Sequence, residues 1–160
     1  MKVKVINIDQ NEDASLTTVT LATPIGEFKG TARFNFDKDP LPPSRMMGGR
    51  IAEDRAYIAY LTQLKKIKYY ESKGVMRAIN SLKKSSTELN YLENIVEVIN
   101  DALLAIDLKR DAYIKDIEDA VRGREMFVRS RTEDKEYKKQ KLEELGDAIK
   151  ALGQNTSKDK

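Results

Sequence analysis

The chain has 160 residues, 34% of them charged and 40% hydrophobic, with 29 Lys and Arg against 26 Asp and Glu. That length suits one folded unit, the net charge of +3 does not by itself argue for nucleic acid, and no apolar run approaches the roughly 18 residues of a membrane span. The absence of His and Cys removes Ser-His and Cys-His nucleophile pairs, imidazole and thiolate metal ligands, and disulfides, so binding rather than catalysis is expected, with no cofactor and no metal.

The N-terminus "MKVKVINID" alternates Lys with Val instead of presenting a charged segment and an apolar block, so it reads as a half-buried strand and not as a secretory signal. A cytoplasmic location is the corresponding expectation. "QNEDAS" at residues 10–15 is a polar turn, and "LTTVTLA" after it is rich in β-branched residues with Val19 and Leu21 on one face. "TPIGE" supplies a second reversal, and "FKGTARFNF" alternates Ala32, Phe34 and Phe36 against Thr31, Arg33 and Asn35. These segments predict a three-stranded antiparallel β-meander. So small a sheet needs a helix or a second copy beneath its apolar face.

Residues 37–49, "DKDPLPPSRMMGG", read as a linker, because three prolines oppose a regular helix and two glycines loosen its end. From Ile51 the apolar positions Ile58, Leu61, Leu64, Ile67, Val75, Ala78 and Leu82 recur three or four apart, which predicts an amphipathic helix to about residue 84. "KKSST" reverses the chain, with Ser86 or Thr87 as N-cap of a second helix that carries Leu89, Leu92, Ile95, Ile99, Ile106, Tyr113 and Ile117 and stops near Gly123. A third helix is expected from an N-cap at Thr132 to a stop at Gly153, followed by a disordered tail. The expected organisation is therefore α+β: meander and linker over 1–43, a long antiparallel helical hairpin of coiled-coil character over 44–123, a C-terminal helical segment over 124–153, and a tail over 154–160. Dimerisation is one way to cover the apolar stripes that such a hairpin leaves open.

Charge supports the hairpin. Residues 44–86 hold ten Lys and Arg against three acids, and residues 87–123 hold four against nine, so opposite blocks face one another when the helices run antiparallel. The acidic group Asp111, Asp116, Glu118 and Asp119 then reads as a solvated face opposite the basic helix, and Lys65, Lys66 and Lys68 as snorkelling side chains rather than a nucleic-acid patch. Direct nucleic-acid binding is not expected.

Two stretches are candidate sites. "GGR" at 48–50 can act as a flexible joint before a helix in which Arg50 pairs with Asp54, or it can bring backbone N–H groups to an anion beside Arg50 and Arg55. "REMFVRSR" mixes Arg124, Arg129 and Arg131 with Phe127 and is read as a non-helical segment, either an exposed anchor of the composition common in protein interfaces or a buried joint between helices. The candidate partner- or ligand-binding residues are Arg33, Arg50, Arg55, Arg124, Phe127, Arg129 and Arg131.

The meander ending in "GEFKGTARF", the linker, and "GGRIAEDRAYIAYL" opening a basic helix resemble small accessory proteins encoded by phages and prophages of Gram-positive bacteria, over residues 1–70. The glycine followed by Ala52, Glu53, Arg55 and Ala56 carries the likeness. The resemblance implies an anti-defence role in the infected host cell: a non-enzymatic inhibitor that binds a host immune effector, as anti-CRISPR proteins bind effector nucleases. The alternatives are a sponge for a cyclic nucleotide signal, in which arginines converge on one pocket, and a helical virion assembly protein.

Overall fold

A computed structural model describes residues 2–81 and 86–155. The fold is α+β: three antiparallel strands, β1 (Lys4–Gln10), β2 (Leu16–Thr23) and β3 (Gly26–Arg33), in the order β1-β2-β3, followed by the helices α1 (Arg45–Ser81) and α2 (Ser86–Asn155).

Alternation along the strands decides which face is buried. Val19 and Leu21 of β2 are fully buried and stand opposite Gly30 and Phe28 of β3, while Thr17 stands opposite Ala32. This face lies on the first half of α1. Ile51, Ala52 and Ala56 complete the core cluster with Val19, Leu21 and Ala32. The opposite face pairs Thr18 with Thr31 and Thr20 with Lys29; Thr31 and Lys29 are exposed, whereas Thr20 is buried at 5% exposure. The β1–β2 turn is closed by Asn11, whose side-chain oxygen accepts from the Leu16 N–H at 2.8 Å, and by Asp13, whose carboxylate accepts from the Ser15 N–H at 2.9 Å. Ala14 takes a left-handed conformation there, with φ 57°.

Gly30 sets how closely the layers approach. A Cβ at that position would collide with the Ala52 carbonyl oxygen and the Ala56 amide nitrogen, so strand and helix backbones touch where three small residues meet. Gly48 is a second such contact, because its hydrogens face the Thr17 side chain. The pair Gly48-Gly49 is therefore not a flexible joint. Both lie inside α1, which begins at Arg45 after an N-cap: Ser44 Oγ accepts from the Met47 N–H at 3.3 Å. The prolines at 42 and 43 stop short of the helix, and the expected linker over 37–49 ends at Ser44.

α1 and α2 run antiparallel, as Arg50 near Asp116, Tyr57 stacked on Tyr113 and Lys65 on Asp107 show in turn. α1 is thus the middle layer, with the sheet on one side and α2 on the other. Two ion pairs bridge the helices among the described residues: Lys65 reaches both Asp107 oxygens at 2.7 Å, and Arg50 meets Asp116 at 3.8 Å. The partner expected for Arg50, Asp54, lies on the same helix and is not the one it uses.

The largest departure from the sequence reading lies beyond Gly123. α2 passes through Gly123 without a break and continues to Asn155, so "REMFVRSR" is helical and the expected third helix is the continuation of the second. Thr132 is not an N-cap; its hydroxyl donates to the Val128 carbonyl at 3.0 Å, the back-bond of a residue inside a helix. Arg129 and Glu133 pair at 2.9 Å across one turn of the same helix. Gly153 does not stop α2 either; the last five residues of the expected tail and residues 83–85 of the expected reversal lie outside the described residues, while Ser86 and Thr87, expected as N-cap, already lie within α2.

Lengths follow from the helical rise of about 1.5 Å per residue. α1 with 37 residues spans about 55 Å and α2 with 70 about 105 Å. α1 starts opposite the middle of α2, so the C-terminal part of α2 runs on alone as an arm.

Candidate functional site

Where α2 leaves the body, the end of β3, the segment 34–44, the start of α1 and α2 enclose a cleft of about 210 Å³. Its apolar wall includes Ala14, Ala32, Met47, Ile51, Val121 and Val128. Arg33, Lys38, Arg55 and Arg124 stand around it with Asp39 and Glu125. Three of the arginines singled out in the sequence, at positions 33, 55 and 124, are therefore gathered on one cleft although they come from three separate elements.

The four cations differ in what holds them. Arg124 and Asp39 form an ion pair in which the guanidinium Nε–H donates to Asp39 Oδ2 at 2.5 Å, with only 18% and 13% of the two side chains exposed. A further Arg124 N–H donates to the Pro42 carbonyl at 2.8 Å. Arg124 thus fastens the proline-rich segment to α2 and forms a wall of the cleft. Arg55 donates to the Thr31 carbonyl, which orients its guanidinium and leaves the other N–H groups unassigned. Among the described residues no carboxylate pairs with Arg33, Lys38 or Arg55.

Aromatic groups border the cations. Phe34 lines the cleft and packs edge-on against Phe36, ring centres 4.9 Å apart. On the outer side of Arg124, the Phe127 ring lies between two guanidiniums, 5.9 Å from Arg124 and 5.3 Å from Arg131.

The remaining sequence candidates do not reach the cleft. Arg50 lies on the flank of the hairpin with Asp116. Phe127, Arg129 and Arg131 stand at the root of the arm, where Met126 is also exposed. Sequence reasoning missed Phe34, Lys38 and Asp39. Their signal was present in "FNFDKDP", where an Asn and an Asp cap turns: Asn35 Oδ1 accepts from the Asp37 N–H and Asp39 Oδ1 from the Leu41 N–H. Nothing in that string tells that Asp39 meets an arginine 85 residues away.

No family model, curated protein or solved structure matches this chain. Among the described residues no helix is long and apolar enough to cross a membrane.

A second charged site lies between the helices. Asp54 is 8% exposed, its Oδ2 has no hydrogen-bond partner, and its carboxyl is pushed above the ordinary range by burial and by the Asp116 charge, against the opposing pull of Arg50. Beside it, burial raises the Tyr57 and Tyr113 hydroxyls as well; their rings are stacked 4.9 Å apart. This acid belongs to the hairpin interior and does not line the cleft at the root of the arm.

Proposed function

We propose that the protein works by docking on another protein, as a non-enzymatic inhibitor, through the arm of α2 and the helical stretch at its root. The observation that carries this reading is the unaccompanied helix. Over residues 129–147 every residue but the half-buried Gly146 is exposed, including Tyr137 at 62%, Leu142 at 70% and Leu145 at 58%. A lone helix gains little from propensity and depends on packing of an apolar face, so the leucines of this arm are suited to a partner surface. Met126, Phe127 and the flanking arginines at its root are anchor-type residues for such an interface.

The partner class comes from the resemblance to phage accessory proteins: a host immune effector, with a CRISPR effector nuclease as the first candidate, met in the cytoplasm of the infected cell. Masking a nuclease needs only an interface of about 1,600 Å² with a few buried anchors. Size-exclusion chromatography with purified effector nucleases from Gram-positive hosts tests the reading. Co-elution that is lost in Phe127→Glu and in Leu142→Glu supports it, and failure to co-elute with any effector overturns it. Large homogeneous particles of the protein alone in light scattering would favour the virion assembly role instead.

A further inference from the structure

The cleft has a chemistry that docking by the arm does not use. We infer that it binds a small phosphate-bearing aromatic molecule of the nucleotide class. The Arg124–Asp39 pair cancels, and what remains on the cleft is Arg33, Lys38 and Arg55 against Glu125, an excess of two positive charges. A phosphate monoester carries between about −1.5 and −2 at neutral pH, which matches that excess; two linked phosphodiesters match it as well. Guanidiniums are the side chains best suited to a phosphate, because their planar donors pair with two oxygens at once.

The rest of the cleft excludes inorganic phosphate as the whole ligand. Its wall is made of Ala14, Ala32, Met47, Ile51, Val121 and Val128, with Phe34 beside them. Such a surface favours a flat apolar or aromatic body, because every base has a π-face that can stack on an aromatic ring. A neutral aromatic compound satisfies the wall and leaves the cations unmatched, and a bare phosphate does the reverse. A base joined to a phosphate answers both. The pocket is also fixed before a ligand arrives: Arg124 holds Pro42 and Asp39, Arg55 is held by Thr31, and the Phe34 N–H donates to the Ser15 carbonyl at 2.7 Å. Such preorganisation lowers the ordering cost of binding.

The test of this inference is separable from that of the docking reading, because Arg33 and Lys38 lie on the body and not on the arm. Isothermal titration of the full chain tests it with five probes: AMP, GMP, a cyclic dinucleotide, adenosine and inorganic phosphate. At least one of the first three should bind, and adenosine and phosphate should each bind at least tenfold more weakly. Which of the three binds tightest separates a mononucleotide from a cyclic dinucleotide. The double variant Arg33→Ala, Lys38→Ala removes two exposed cations without touching the Arg124–Asp39 pair, so its melting curve should match the parent while affinity falls at least tenfold. Arg50→Ala, outside the cleft, should bind as the parent does. No binding of any nucleotide probe at millimolar concentration, equal binding of phosphate alone, or undiminished affinity in the double variant overturns the inference.

Discussion

Asp39 and Arg124 are 85 residues apart in sequence and form the most buried ion pair of the described structure. The pair ties the segment before α1 to the point where α2 leaves the hairpin. Removing one partner of a buried pair leaves the other charge without compensation, at a cost of about 3–5 kcal/mol for full burial. Arg124→Ala should therefore loosen residues 34–44, and about 3 kcal/mol is the expected scale. Hydrogen exchange would report the loosening at the Asp39 and Leu41 amides, with the strand amides of β2 still protected. The double variant Asp39→Asn, Arg124→Met should recover much of the loss.

Gly30→Ala should destabilise the whole body. The added methyl meets the backbone of Ala52 and Ala56, not flexible side-chain ends, so the sheet must lift from α1. Overpacking of this kind costs about 1–3 kcal/mol, and an unyielding backbone places it at the upper end. Urea unfolding measures it. Combining Gly30→Ala with Ala52→Gly should not restore stability, because the obstacle is the Ala52 carbonyl and not its methyl.

The β-meander was legible because period two is unambiguous at Val19, Leu21 and Ala32, and the hairpin because Leu61, Ile99 and Ile106 recur at helical spacing. The glycines misled in both helices. Gly48 reads as a loosened chain, yet its missing side chain serves contact with Thr17, a long-range fact that local propensity does not contain. Gly123 reads as a helix stop, yet a single interior glycine costs only about 1 kcal/mol, and the residues after it, Arg, Glu, Met and Lys among them, are good helix formers that carry α2 onward. Of the cleft, the arginines were visible by type. Their meeting was not, because it depends on where α2 crosses the end of the sheet.

Asp54 makes stability depend on pH in an unusual sense. Its carboxyl titrates higher in the folded chain than in the unfolded one, so the folded state binds the proton more tightly. The contribution is fully present below the unfolded value of 3.8 and is lost as pH rises through the raised folded value. At neutral pH the unfolded chain holds this carboxyl ionised in water, so its burial opposes folding. Asp54→Asn should then raise stability at pH 7 by on the order of 1 kcal/mol, or about 2–4 °C in melting temperature for a chain of this size. The advantage should shrink as the melts are repeated toward pH 4.

The arm leucines should be silent in the isolated protein. Leu142→Lys and Leu145→Lys exchange exposed side chains, so the unfolding free energy of the body should stay within about 0.5 kcal/mol of the parent. The same two changes should abolish capture of the partner. A large loss of stability in chemical denaturation would instead mean that these leucines are already covered in solution by another copy.

α2 has one more property, which comes from having no joint. Val121, Arg124, Glu125 and Val128 of the cleft stand on the same continuous helix as Tyr137, Leu142 and Leu145 of the arm. Such a helix is a lever with its fulcrum at the Asp39–Arg124 pair. A partner pulling on the tip would move a wall of the cleft, and a ligand wedging the cleft would re-aim the tip. Any such coupling acts with equal strength in both directions.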